Sequence, residues 1–134
     1  MRILVQKFGG TSVANLDCMK KVQEKVLGAV SNGYKAIVVL SAMSGETNRL
    51  LKLADTWSSN PDAAETDVLV TTGEQVSAAL FTMLMKDAGI KARSFLGFQL
   101  PITTTDTFGS ARILSIDASK MRKELETYDV LVVA

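Results

Sequence analysis

The sequence predicts a three-layer α/β fold, with helices on both faces of a mostly parallel β-sheet. Three observations carry that expectation. The run Ala36-Ile-Val-Val-Leu40 is continuously apolar and β-branched, as a strand buried on both faces must be, and Val130 to Ala134 repeats the pattern. An amphipathic helical segment separates Ala36-Leu40 from an earlier apolar stretch at Arg2 to Phe8, and strand, helix, strand in that order makes a right-handed crossover. With 134 residues, 47% hydrophobic and 22% charged, the chain has the composition of one soluble globular domain with a real core.

Each element has its own warrant. Arg2 to Phe8 reads as a strand, Gly9-Gly10 as a turn, and Thr11 or Ser12 as the cap of a helix that ends near Ser31, before Asn32-Gly33. Within that helix Leu16, Met19, Val22, Val26 and Ala29 recur at three- and four-residue steps and form one face for burial. After the second strand, "SAMSGETNRLLKLAD" gives a small-residue loop and then a helix capped by Thr47 or Asn48. Ser58 to Asp62 is a loop. Ala63 to Ala88 reads as helical, with "TTGE" at 71 to 74 predicting a break into two pieces. Lys91 to Gly97 and Ala111 to Ile116 read as strands separated by "PITTTDTFGS", a loop or a hairpin. Asp117 caps a short helix with Met121, Leu125 and Tyr128 on one side, and Val130 to Ala134 is the last strand. A parallel strand needs cover on both faces and pairing along its backbone, and with nothing after Ala134 to supply them the domain is expected to be cut there, a partner that supplies the missing layer being the alternative.

Composition excludes several classes of function. Fifteen basic and fourteen acidic residues leave a net charge of +1, so no global field favours nucleic acid or an anionic membrane. The longest apolar stretches, Ala36 to Leu40 and Val76 to Met85, read as too short or too interrupted to span a bilayer. The amino terminus runs straight into a strand and lacks a signal peptide's apolar region, so a cytoplasmic location is expected. Cys18 has no partner for an internal disulfide and reads as a reduced thiol on a helix, and no CxxC or Cys/His cluster is present to hold zinc. The chain has no histidine, which removes Ser-His and Cys-His nucleophile pairs and the commonest general base.

Three segments point to a binding site. A strand that feeds a glycine-rich turn and a helix start presents backbone N–H groups to an anion, and Lys7 at the end of the first strand adds a full positive charge above Gly9 and Gly10. The pattern is neither G-x-x-x-x-G-K-[ST] nor G-x-G-x-x-G, so it supports neither a P-loop nor a dinucleotide site. "SAMSGETN" at 41 to 48 offers the hydroxyls of Ser41 and Ser44 just beyond the second strand, where open α/β sheets place their sites. "TTGEQ" at 71 to 75 offers Glu74 to a cationic group. Taken singly, each is equally a tight turn with a solvated lysine, ordinary capping chemistry, or a solvated helix carboxylate.

Together "VQKFGGTSVA", "VVLSAMSGETNRLL", "TTGEQVSAALF" and "FGSARI", in this order and spacing, closely resemble the amino-terminal part of aspartate kinases, members of the amino-acid kinase superfamily. The resemblance spans essentially the whole chain. It implies the carbamate kinase-like α/β fold, cut after the strand at 130–134, with residues 1–134 forming the amino-terminal portion of one catalytic domain. The nucleotide-binding half and the ACT regulatory domains would then lie beyond position 134. The implied reaction is ATP-dependent phosphorylation of the L-aspartate β-carboxylate to 4-phospho-L-aspartate, at the head of lysine, threonine and methionine synthesis. ATP and Mg²⁺ are its implied cofactors, and a homo-oligomer is implied for the full-length protein, with no nucleic-acid or membrane partner.

Carried over residue by residue, Lys7 is the catalytic lysine that neutralises transferring phosphate oxygens, while Gly9, Gly10 and Thr11 form the phosphate turn. Ser41 matches a serine near the transferred phosphate. Thr47 and Glu74 match positions that contact aspartate, Glu74 facing its ammonium group, and no residue is carried over as a metal ligand. "LPITTT" departs from the more glycine-rich form of the family, so no role is carried over for Thr103 to Asp106. With half a site, the chain alone is expected to show no appreciable kinase activity. The alternatives are another superfamily enzyme acting on a different carboxylate, carbamate or phosphate, and a non-catalytic α/β interaction module.

Overall fold

The computed structural model describes residues 1–134. The chain runs β1 (Arg2–Phe8), a 3₁₀ turn (Gly10–Val13), α1 (Leu16–Ser31), β2 (Tyr34–Leu40), α2 (Glu46–Trp57), α3 (Ala63–Asp87) and β3 (Ala92–Phe95). A second 3₁₀ turn (Gly97–Gln99) leads to β4 (Ile102–Thr104), β5 (Ile113–Ile116), α4 (Ser119–Thr127) and β6 (Val130–Val133). The apolar runs β1, β2, β3 and β6 pair into one parallel sheet in the order β1-β2-β6-β3. β6 enters between β2 and β3, from Ala36↔Val130 to Val39↔Val133 on one side and from Ala92↔Val130 to Phe95↔Val133 on the other.

Each face of the sheet has its own core. On one face Met19, Val22 and Val26 of α1 and Ala78, Phe81 and Met85 of α3 pack on Ala36, Val38, Val130 and Val132. On the other, Leu125 of α4 packs with Phe95, Leu100, Leu131 and Val133, and Ile3, Ile37 and Val39 lie partly buried against them. The three layers follow from this alternation, since neighbouring residues of β6 serve opposite cores.

Several local expectations are corrected. The long first helix is not capped by Thr11 or Ser12: the Ser12 N–H bonds the Gly9 carbonyl in the 3₁₀ turn, the fully buried Val13 ties the chain to the core, and Asn15 caps α1 by accepting the Cys18 N–H at 2.9 Å. Leu16 lies at the start of the predicted stripe but is exposed. α2 begins after Gly45, which is left-handed, so Thr47 and Asn48 sit inside its first turn instead of capping it.

α3 is one continuous helix of 25 residues, capped by Asp62, with no break at 71 to 74. The Thr71 and Thr72 hydroxyls bond back to the carbonyls of Val68 and Leu69, and Gly73 is needed for close approach to a neighbouring loop rather than for ending the helix. Unbroken, α3 has the length and apolar composition of a membrane-crossing helix, a test that the apolar stretch read from the sequence did not meet. Its buried apolar residues Ala78, Phe81 and Met85 belong to the core, as those of a globular protein's central helix do.

The stretch after β3 is a hairpin: β4 pairs antiparallel with β5, apart from the main sheet. The cap of α4 is Ala118, while Asp117 still accepts the Ser119 N–H at 2.8 Å. The last strand is neither unpaired nor uncovered. All four residues of β6 are buried, because the strand lies inside the sheet and not at its edge.

Candidate functional site

The carboxyl ends of the parallel strands open on the same end of the sheet, where a doubly wound fold gathers its ligand-binding loops. β1 delivers Gly9 and Gly10 there, β2 delivers the loop from Ser41 to Gly45, and α3 crosses nearby with Gly73 and Glu74. The Ser41 N–H bonds the Phe8 carbonyl at 3.1 Å, which carries the β1–β2 ladder one step past the strands and fixes the serine beside the glycine turn.

Lys7 is exposed and pairs with Val39 in the ladder. Its Nζ stands 3.9 Å from the place a Gly9 Cβ would occupy, so the ammonium lies back over the glycine turn. The two ion pairs of the chain, Lys35–Asp129 and Arg49–Glu46, leave the Lys7 charge uncompensated. Gly10 is held to glycine by close approach, because a Cβ there would come within 2.9 Å of the Ala42 carbonyl oxygen. Thr11 is exposed on the turn.

Glu74 is half-buried on α3 and accepts the Ala42 N–H at 3.2 Å. It borders a cleft of about 320 Å³ with Thr71, Gln75, Phe98 and Ala134, at the ends of β3 and β6. Thr47 is exposed in the first turn of α2. Its neighbour Glu46 reaches toward α3, its Cγ being 3.4 Å from the place a Gly73 Cβ would occupy. The Glu46 carboxylate receives two hydrogen bonds from the Arg49 guanidinium, at 2.9 and 2.7 Å, which hold it below the usual carboxylate range.

Lys7, Gly9, Gly10, Ser41 and Glu74 thus converge on one end of the sheet, and Thr47 stands at its margin. The residue that joins them, Ala42, carries no chemistry in its side chain and gives no signal in the sequence. A full positive charge, a glycine turn and a half-buried carboxylate on separate elements suit a ligand with a phosphate at one end and a cation at the other.

The model of the amino acid kinase family matches residues 2–134. An aspartate kinase of Pseudomonas putida is 48% identical over 134 residues, which are the whole of this chain and 33% of that protein. An aspartokinase of Bacillus sp. strain MGA3 is 42% identical, again over the whole chain and 33% of the relative. The chain therefore spans about a third of the length of these curated relatives. The crystal structure of aspartate kinase from Synechocystis superposes with a TM-score of 0.83 at 36% identity, covering 100% of this chain and 22% of that one. E. coli aspartokinase III in complex with aspartate and ADP shares the fold, with a TM-score of 0.79 at 24% identity over 99% of this chain and 40% of its own.

Proposed function

The chain belongs to the amino acid kinase family, and from that premise we propose that it is the amino-terminal part of an aspartate kinase, acting in ATP-dependent phosphorylation of the L-aspartate β-carboxylate to 4-phospho-L-aspartate. The observation that carries this reading is the convergence of the Lys7 ammonium, the Gly9-Gly10 turn, Ser41 and Glu74 at the carboxyl ends of the sheet. The names of the relatives, aspartate kinases at 42 to 48% identity, support the same substrate.

The chemistry asks little of side-chain bases. A carboxylate with a pKa near 4 is already ionised at neutral pH, so the nucleophile arrives deprotonated and a chain without histidine can carry the reaction. Phosphoryl transfer depends on positioning and on neutralising charge as it spreads over the phosphoryl oxygens. Lys7 supplies that charge, Gly9, Gly10 and Thr11 let the backbone approach the phosphates, and Ser41 stands by the transferred group. Glu74 takes the aspartate ammonium, and Thr47 contacts the same substrate from α2.

No three His, Cys, Asp or Glu side chains come together in this chain, so it holds no all-protein metal cage; magnesium, which usually binds through one or two carboxylates together with substrate phosphates, would come with ATP, and no step is assigned to it. In this reading the nucleotide-binding half of the site lies in sequence outside the chain, and the complete protein works in the cytoplasm as a homo-oligomer.

The test is aspartate-dependent ADP release, with hydroxylamine trapping the acyl phosphate, by the complete polypeptide in which this chain occurs and by the 134-residue chain alone. The complete polypeptide is expected to turn over, and Lys7→Ala to lower its kcat by roughly 10²-fold or more, as the loss of one transition-state charge contact does. The isolated chain is expected to be silent. Lys7-independent turnover would sink the role of Lys7, and turnover by the isolated chain would sink the half-site.

A further inference from the structure

Ala42 meets two segments, α3 and the turn after β1, with three different atoms. Its N–H donates to Glu74 Oε1 at 3.2 Å. Its carbonyl oxygen lies 2.9 Å from the place a Gly10 Cβ would occupy, and its own Cβ lies 2.9 Å from the place a Gly73 Cβ would occupy. Side-chain carbons essentially never approach other atoms that closely, so one buried alanine holds two neighbours to glycine. A larger residue at 42, or a Cβ at 73, would drive α3 from the loop, and a Cβ at 10 would drive the glycine turn from it.

We propose that Ala42 is a positioning residue: it fixes the Glu74 carboxylate on α3 and the glycine turn after β1 at one separation, so that the ammonium and phosphoryl ends of the reacting pair are bound in register. The inference rests on the reading of Glu74 as the carboxylate that receives the amino acid's ammonium group. A glutamate on a helix surface has three rotatable side-chain bonds and samples many rotamers. Accepting the Ala42 N–H with one oxygen selects among them and leaves the second oxygen for the substrate. The Gly10 contact ties the phosphate side of the site to the same residue.

The steric arrangement permits a swap. Gly73→Ala places a methyl group against the Ala42 Cβ, and Ala42→Gly removes the atom it strikes. In the complete polypeptide, Gly73→Ala is expected to speed amide hydrogen exchange at Ala42 by roughly tenfold and raise the KM for aspartate by roughly tenfold or more, the effect of removing a hydrogen bond to a charged group. The KM for ATP is expected to stay within about twofold, since the disturbed hydrogen bond orients the carboxylate that binds the amino acid and not the nucleotide.

The double variant Ala42→Gly/Gly73→Ala is expected to bring exchange and aspartate KM back toward wild type. Gly10→Ala strikes a backbone oxygen instead, so Ala42→Gly does not rescue it. Should Gly73→Ala fail to fold, Glu74 variants carry the test: the Ala42 amide stays protected in Glu74→Gln, which keeps an acceptor oxygen, and exchanges faster in Glu74→Ala. Wild-type exchange at Ala42 in Gly73→Ala or Glu74→Ala, or a double variant as impaired as the single, overturns the Ala42 junction whatever the activity. A wild-type polypeptide without aspartate-dependent turnover, beside intact exchange effects, overturns the functional reading and the aspartate half of this proposal while the junction stands.

Discussion

Asp117 accepts the Ser119 N–H at 2.8 Å at the start of α4, and the hydrogen bonds from Ser119 hold its carboxyl below the usual carboxylate range. A carboxylate whose folded pKa is lowered contributes stability that is present above its unfolded pKa, near 4, and is lost as the pH falls through the folded value. Asp117→Ala is therefore expected to lower the urea midpoint at pH 7, and the gap from wild type to close as the pH drops below the ordinary carboxylate range. Asp117→Asn keeps an acceptor oxygen and is expected to retain most of the midpoint at pH 7 with a flatter pH profile. A gap for Asp117→Ala that persists unchanged at pH 2 would show that the residue acts through something other than its charge. At this scale the sequence was informative wherever the residue type was unusual for its place: a lysine ending a strand, paired glycines, an aspartate ahead of a short helix. Ala42 escaped because an alanine in a small-residue loop looks the same whether it touches nothing or holds two segments at once.

Among the elements, α3 draws its stability from a narrow buried stripe. Phe81 and Met85 are fully buried among α1, β2 and β6, while Trp57 at the end of α2 is 84% exposed despite being the largest side chain in the protein. Phe81→Ala is expected to destabilise the fold by about 3–5 kcal/mol, from the transfer free energy of the ring and the cavity left behind. Trp57→Ala is expected to change stability by less than about 0.5 kcal/mol. Urea unfolding of both variants checks the pair, and a comparable loss for the two would mean that α2 ends against a surface the present packing does not include. The stripe of α1 was legible because Met19, Val22, Val26 and Ala29 keep the helical period against one sheet face. The break expected in α3 was wrong for a physical reason: a glycine inside a helical pattern costs about 1 kcal/mol whether it ends the helix or admits a neighbour, and only the position of Ala42 tells which. The start of α1 was misplaced for a similar reason, since Val13 is drawn into the core before the helix begins.

For the whole molecule the decisive element is the last one in the chain. Two buried parallel strands look alike in sequence, so nothing in Ala36–Leu40 or Val130–Ala134 states which neighbours each will take, and the sheet order could not be read from local pattern. β6 proves to be the strand that joins β2 to β3 and the one whose residues alternate between the two cores, Val130 and Val132 to one and Leu131 and Val133 to the other. Burying four such side chains is worth roughly 6–12 kcal/mol, as much as the entire stability of a typical domain. Without them β3 has no partner in the sheet and β2 keeps only β1. A chain ending at Asp129 is therefore expected to lack a cooperative thermal transition and the dispersed amide spectrum of a folded protein, whereas the 134-residue chain is expected to show both. The position of β6 also bears on folding order: β1, α1 and β2 can associate through contacts close in sequence, and α3 can pack on them, but β3 can join the native sheet only once the last residues are in place. Should the shortened chain unfold cooperatively at the same midpoint, β1-β2 and β3 must be held together by the helices alone, and the central place given to β6 would be wrong.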